Sequence, residues 1–203
     1  MQKGWWARYA NSVDSAYAAY LAVEWDAYEL YNVETHLIPG LLQTPEYTEA
    51  VIRLQAPDFT AKATEAQLSV RRERRKVLTR ENPLHLWVIV SESALYHRIG
   101  GKDVMRAQLE SLIDDSRAKN IELQVLPRED PMNGCLFGPF VIMTFPNAAA
   151  TDVIYTQSPT STLYYEEEAD VEAYTTLFRR LNVAAANVSK SRALIMDALK
   201  EMG

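Results

Sequence analysis

A single cysteine, Cys135, and three histidines give this chain little from which to build a covalent or metal framework. One thiol cannot close an intrachain disulfide, and one Cys with three His falls short of a structural zinc cage. Glycine and proline are sparse, seven and nine residues, which excludes a collagen-like repeat or a low-complexity tract. No stretch approaches 18 uninterrupted apolar residues, so no segment reads as a membrane-spanning helix. The opening residues, Met1 to Trp6, carry no apolar core of a secretory signal, and the expected location is cytoplasmic. Positive charge is also in deficit: 21 Lys and Arg against 27 Asp and Glu leave −6, a poor start for wrapping nucleic acid.

What is present is an ordinary globular balance, 48% hydrophobic and 24% charged over 203 residues. That length sits near one domain at about 150 residues each. Hydrophobic spacing predicts a helix over residues 14–31, with Asp14 or Ser15 as N-cap. One of its faces carries Tyr17, Tyr20, Leu21, Glu24, Tyr28 and Tyr31, the other Ala16, Ala19, Val23, Ala27 and Leu30. A helix apolar on both faces is either deeply buried or gives one face to a partner. Pro39-Gly40 then forces a turn, and Thr44-Pro45-Glu46 reads as an N-cap, a proline at the first helical position and a first-turn carboxylate. A further helix is expected over 60–80.

Pro83 ends that pattern. Strands are expected over 84–90 and 121–126, joined by a helix over 102–117, as a parallel β–α–β unit. Residues 140–145 and 152–156 predict an antiparallel pair, and 162–165 an edge strand. Two closing helices follow, the first striped by Val171, Tyr174, Phe178, Leu181 and Ala185. The fold class is α+β: one domain over 1–203, with a mixed sheet of four or five strands flanked by helices.

Chemistry is harder to find. His36, His85 and His97 lie in unrelated contexts, and none accompanies a nucleophile elbow. Gly-x-Ser-x-Gly, His-Glu-x-x-His and the phosphate-binding loop pattern are absent. Glu92, directly after a buried strand, is the one acid placed where α/β units hold sites, although a first-turn helix acid explains it as well. No catalytic residue, metal site or cofactor is expected. The strongest charge asymmetry is residues 71–80, six basic and one acidic, which leaves the remainder at −11. Without a helix-turn-helix around it, this face is expected to pair with acidic groups, in this chain or a partner, rather than to read DNA.

The block Pro39-Gly40-Leu41-Leu42-Gln43-Thr44-Pro45-Glu46-Tyr47 resembles the hallmark of an antitoxin-like C-terminal domain, long catalogued as a domain of unknown function. That domain follows an XRE-type helix-turn-helix in many actinobacterial transcriptional regulators. Trp6, Tyr9, Glu24 and Ala27 fit upstream; Arg71-x-x-Arg74 with Leu78, Glu92-x-x-Leu95, Gly100-Gly101, Met105, Gln108-Leu109 and Val125-Leu126-Pro127 fit downstream. Gly138-x-Phe140 and Tyr174, Phe178 and Leu181 complete the match. Arg75 stands where Gln is usual, Gln157 where Glu commonly closes a strand, and Asp130-Pro131-Met132 where a Gly/His-containing loop is usual.

The resemblance implies a regulatory effector and dimerisation domain, here without its DNA-binding headpiece. It would form a homodimer, sense a small partner protein or small-molecule effector, and bind no DNA specifically by itself. A stand-alone paralogue acting as a small-molecule-binding protein or enzyme is the alternative. The residues implied for ligand or partner binding are Glu24, Pro39, Gly40, Leu41, Leu42, Gln43, Thr44, Tyr47, Arg71, Arg74, Arg75 and Glu92. For the hallmark block two roles stay open: a loop beside a groove, or Leu41 and Leu42 plugging the core while Gln43 satisfies backbone groups.

Overall fold

A computed structural model describes residues 4–9, 13, 15–134, 138–147 and 151–202. Asp14, one of the two expected N-caps, and Cys135 lie outside them. The described residues form one α+β domain with seven α-helices and a six-stranded mixed sheet.

The first helix, α1 (Ser15–Asp26), is shorter than the 14–31 expected from spacing. The chain leaves it at Ala27, and residues Glu29–Glu34 form β1 instead. The correction has a tertiary cause. β1 is a central strand, paired in parallel with β2 (His85–Ser91) and antiparallel with β4 (Phe140–Thr144), and two ladders outweigh a local helical pattern. Helical spacing therefore hid the sixth strand. It also separates Tyr31 from the tyrosines of α1: Tyr31 lies on the opposite face of the sheet, against Trp87 and Phe178.

From β1 the chain runs through α2 (Pro45–Gln55) and α3 (Ala61–Arg75) into β2, then through α4 (Lys102–Asp115) into β3 (Ile121–Leu126). β2 and β3 are parallel, as expected. The one-turn α5 (Pro131–Gly134) leads to β4, then β5 (Val153–Gln157) and the edge strand β6 (Thr162–Tyr165). The order is β3-β2-β1-β4-β5-β6. Two helices close the fold, α6 (Glu168–Ala184) and α7 (Val188–Lys200).

Period-two alternation sorts the strand residues onto two cores. Leu30, Val88, Val90, Leu123, Val125 and Met143 face the crossover helices, joining Leu21, Tyr47, Val70, Leu109 and Ile195. Val33, Ile89, Phe140, Ile142 and Ile154 face the other way onto Phe178 and Leu181 of α6. The alternation has one interruption that matters. On the crossover side of β1, Leu30 is followed by the polar Asn32 and Glu34, toward the strand's C-terminal end. That end lies where a parallel neighbour on one side meets an antiparallel one on the other, a point at which open α/β sheets commonly leave a crevice.

Candidate functional site

The hallmark block is pinned before it is exposed. Pro39 leads into a 3₁₀ turn, Gly40–Leu42, closed by Leu42 N–H donating to Pro39 O at 2.8 Å. Leu41 and Leu42 enter the core. Thr44 caps α2, its Oγ1 accepting from Tyr47 N–H, with Pro45 at the first helical position as its sequence requires. Tyr47 is fully buried, and its Oη accepts from Ile38 N–H. Gln43 donates from Nε2 to Ile38 O at 2.7 Å and accepts from Thr48 Oγ1 at 3.2 Å.

Two residues from other helices complete the clamp. Gln108 of α4, fully buried, donates to Leu42 O and accepts from Thr44 N–H, at 2.8 and 2.7 Å. Arg75 donates from Nη1 to Leu41 O and Gln43 O, and from Nη2 to both Asp115 oxygens at 2.7 and 2.8 Å. Burial raises the Asp115 carboxyl above its ordinary range despite that guanidinium. Of the two roles open for the block, the core-plugging one describes Leu41, Leu42 and the Gln43 amide; Gly40 and Thr44 line a cleft.

Behind the turn lies a buried ion pair. Arg74 donates from Nε and Nη2 to the two Glu24 oxygens at 2.8 and 2.6 Å, while Nη2 also donates to Tyr20 Oη at 3.0 Å. Tyr20 Oη in turn donates to Glu24. The guanidinium lies 5.0 Å from the Tyr20 ring centroid, and Tyr155 of β5 packs on that ring at 4.4 Å. Burial and the Glu24 charge push the Tyr20 phenol up. Breaking such a pair from one side strands a charge in the interior, typically about 3–5 kcal/mol.

Arg71, one helical turn before Arg75, is treated differently. Its guanidinium lies 5.7 Å from the Tyr17 ring, its Nε is buried with no hydrogen-bond acceptor, and among the described residues it has no ion-pair partner. The other arginines of the run are committed: Arg72 to Glu65, Arg75 to Asp115, and Arg80 to the carbonyls of Trp25 and Ala27. Gly40 explains how two guanidiniums fit side by side. A Cβ there would stand 2.8 Å from Arg74 Nη1 and 3.1 Å from Arg71 Nη1. Glycine is needed at this turn for close approach, not for its backbone angle, which is not in the left-handed region.

The cleft in front measures about 350 Å³ and is lined by Gly40, Gln43, Thr44, Thr48, Arg71, Arg72, Arg75 and Ser111. Glu34, at the end of β1, is half-buried and lies within electrostatic reach of both Arg71 and Arg74; burial raises its carboxyl from 4.5 to about 7, against the pull of Asn32 and the two arginines. A smaller hollow of about 240 Å³ by Gly138, Phe140, Gln157, Leu163 and Tyr174 holds no charged group, so it offers shape without electrostatic selection.

The structure thus brings Glu24, Gly40, Gln43, Thr44, Arg71, Arg74 and Arg75 to one place, with Pro39, Leu41, Leu42 and Tyr47 as its frame. Glu92 is not among them. It begins a 3₁₀ turn capped by Ser91, is buried, and accepts from Arg128 N–H at 3.0 Å with the Arg128 guanidinium at 3.4 Å. Sequence reasoning missed Asn32 and Glu34 because the first half of their strand was read as the tail of a helix ending at about residue 31, which left no strand to set their register. It missed Ser111 and Gln108 as site residues because nothing in a helical repeat marks an inward-facing polar position. It also placed the histidines in unrelated contexts, whereas His36 and His97 stack at 6.4 Å, His97 Nδ1 lying 3.0 Å from His36 O.

Among the described residues no cluster of His, Cys, Asp and Glu has the makings of a metal site, and no helix is long and apolar enough to cross a membrane. No curated protein and no solved structure matches the chain. The turn at Gly40, the Arg71–Arg74 pair and the sheet that carries Glu34 all lie within residues 17–197, over which the chain belongs to the family described as a domain of unknown function, DUF5753.

Proposed function

We propose that this chain is a regulatory effector domain of the kind found in actinobacterial XRE-type transcriptional regulators, acting as a homodimer, which binds a small ligand or small partner protein at the Gly40–Arg71 cleft. The observation that carries the reading is the contrast within that cleft. Its walls are fixed by Gln43, Gln108 and Arg75, whose polar ends are all engaged inside the chain, while among the described residues Arg71 has no counter-ion. A pre-formed cleft with one charge that no described carboxylate pairs suits recognition, since little ordering cost is left for binding.

A route for passing on the bound state is also present. Arg71, Arg74 and Arg75 share one stretch of α3; Arg71 and Arg75 face the cleft, and Arg74 holds Glu24 of α1. Occupancy that moves α3 therefore acts on α1, on the N-terminal side where regulators of this class carry their DNA-binding headpiece. Such coupling requires two states of different affinity for the effector. Native mass spectrometry of the chain purified from its own host tests the reading. A stoichiometric small molecule or small protein that competes with a cleft substitution such as Ser111→Trp supports it. Retention that this substitution leaves untouched contradicts it.

A further inference from the structure

Two positive side chains converge on one glycine, and among the described residues no carboxylate forms an ion pair with Arg71. Nη1 of Arg74 and Nη1 of Arg71 both reach within 3.1 Å of the point above Gly40 where a Cβ would stand. Arg74 makes its bonds to Glu24 and Tyr20 through Nε and Nη2. Arg71 makes no hydrogen bond or ion pair among the described residues. Arg74 is neutralised by Glu24, so the unmatched charge is that of Arg71, held at the edge of a low-dielectric interior, where an added anion would be stabilised. Glu34 is close enough to feel both, yet it forms no ion pair with either.

We propose that the cleft above Gly40 is an oxyanion site, taking the carboxylate or phosphate of a small organic ligand on the Arg71 guanidinium, with Arg74 adding its positive charge from behind Gly40. The proposal rests on the effector reading above and assigns the chemistry of its ligand. Planar guanidinium forks match both oxyanions, and charge-assisted bonds of this kind are roughly twice as strong as neutral ones. A volume of about 350 Å³ suits a small molecule. The overall charge of −6 works against a polyanion such as nucleic acid, whose many phosphates would meet the acidic remainder of the surface.

The test titrates inorganic phosphate and malonate separately into the full chain, following the arginine Nε–Hε resonances by NMR at about 150 mM salt. Wild-type protein is expected to bind at least one probe with Kd below about 1 mM, with Arg71 among the shifted signals. Phosphate alone identifies a phosphoryl ligand, malonate alone a carboxylate. Arg71→Gln is expected to weaken the bound probe at least tenfold with little change in the melting temperature of the free protein, because among the described residues no carboxylate forms an ion pair with Arg71. Gly40→Ala gives a second comparison: its Cβ would press on Arg71 Nη1 and on the pinned Arg74 Nη1, so probe binding is expected to fall, and the melting temperature reads separately what disturbing the Arg74–Glu24 pair costs. Failure of both probes to bind, or binding that both variants retain, overturns the proposal. Should native mass spectrometry then still show a neutral small molecule competing with Ser111→Trp, the effector reading stands and only the oxyanion assignment falls.

Discussion

Gln43 engages both ends of its amide inside the chain, on Ile38 O and Thr48 Oγ1, and it is almost fully buried. Gln43→Ala would orphan a buried carbonyl and a hydroxyl, so a loss of about 1–3 kcal/mol in urea unfolding is expected. A mere lining residue would show no such loss. Glu34 makes a prediction of opposite sense. Its carboxyl is raised from 4.5 to about 7 by burial, so between those two pH values the folded chain keeps a proton that the unfolded chain releases. Its contribution to stability is therefore full below about pH 4.5 and is lost as pH rises through about 7. Glu34→Gln should flatten that part of the stability profile and gain roughly 1–3 kcal/mol at pH 8, the full shift being reduced by the side chain's partial access to water. Thermal unfolding of both proteins from pH 4.5 to 8 checks it; parallel profiles would assign the slope to other groups.

Among the elements, what was legible in the sequence is what local chemistry decides. Thr44-Pro45 starts α2 where cap and proline preferences place a start, and residues 121–126 and 162–165 form strands with the expected bounds. The α6 stripe of Val171, Tyr174, Phe178 and Leu181 meets the sheet as its spacing implies. β1 was illegible because its tyrosine and leucine spacing continues that of α1, and only partners remote in sequence, β2 and β4, select the extended form. The same remoteness hid half of the site: Glu34 and Asn32 follow from the register of β1, and the grouping of Arg71, Arg74 and Gly40 from α3 crossing the turn. α6 packs on one face of the sheet, with Phe178 edge-on to Tyr31 at 4.9 Å and to Trp87 at 5.8 Å. Phe178→Ala should cost about 3–5 kcal/mol and shift the Trp87 fluorescence. An unchanged spectrum with a small loss would mean that α6 contributes little to holding that face.

For the molecule as a whole, the basic run at 71–80 is the feature most easily misread as a nucleic-acid surface. Its charges are largely engaged within the chain, by Glu65, Glu24, Asp115 and Glu73, and the total remains −6. The chain alone is expected to form no sequence-selective complex with DNA in a gel-shift assay at about 150 mM salt, where residual phosphate attraction is strongly weakened. A selective complex surviving there would restore DNA contact to this domain. The most direct test of the account is a crystal structure of the chain purified from its own host with its effector retained. The account predicts density in the cleft beside Gly40, with an anionic group within hydrogen-bond reach of Arg71. An effector seated elsewhere, such as the hollow beside β6 or the stacked pair His36 and His97, with Arg71 untouched, would contradict it.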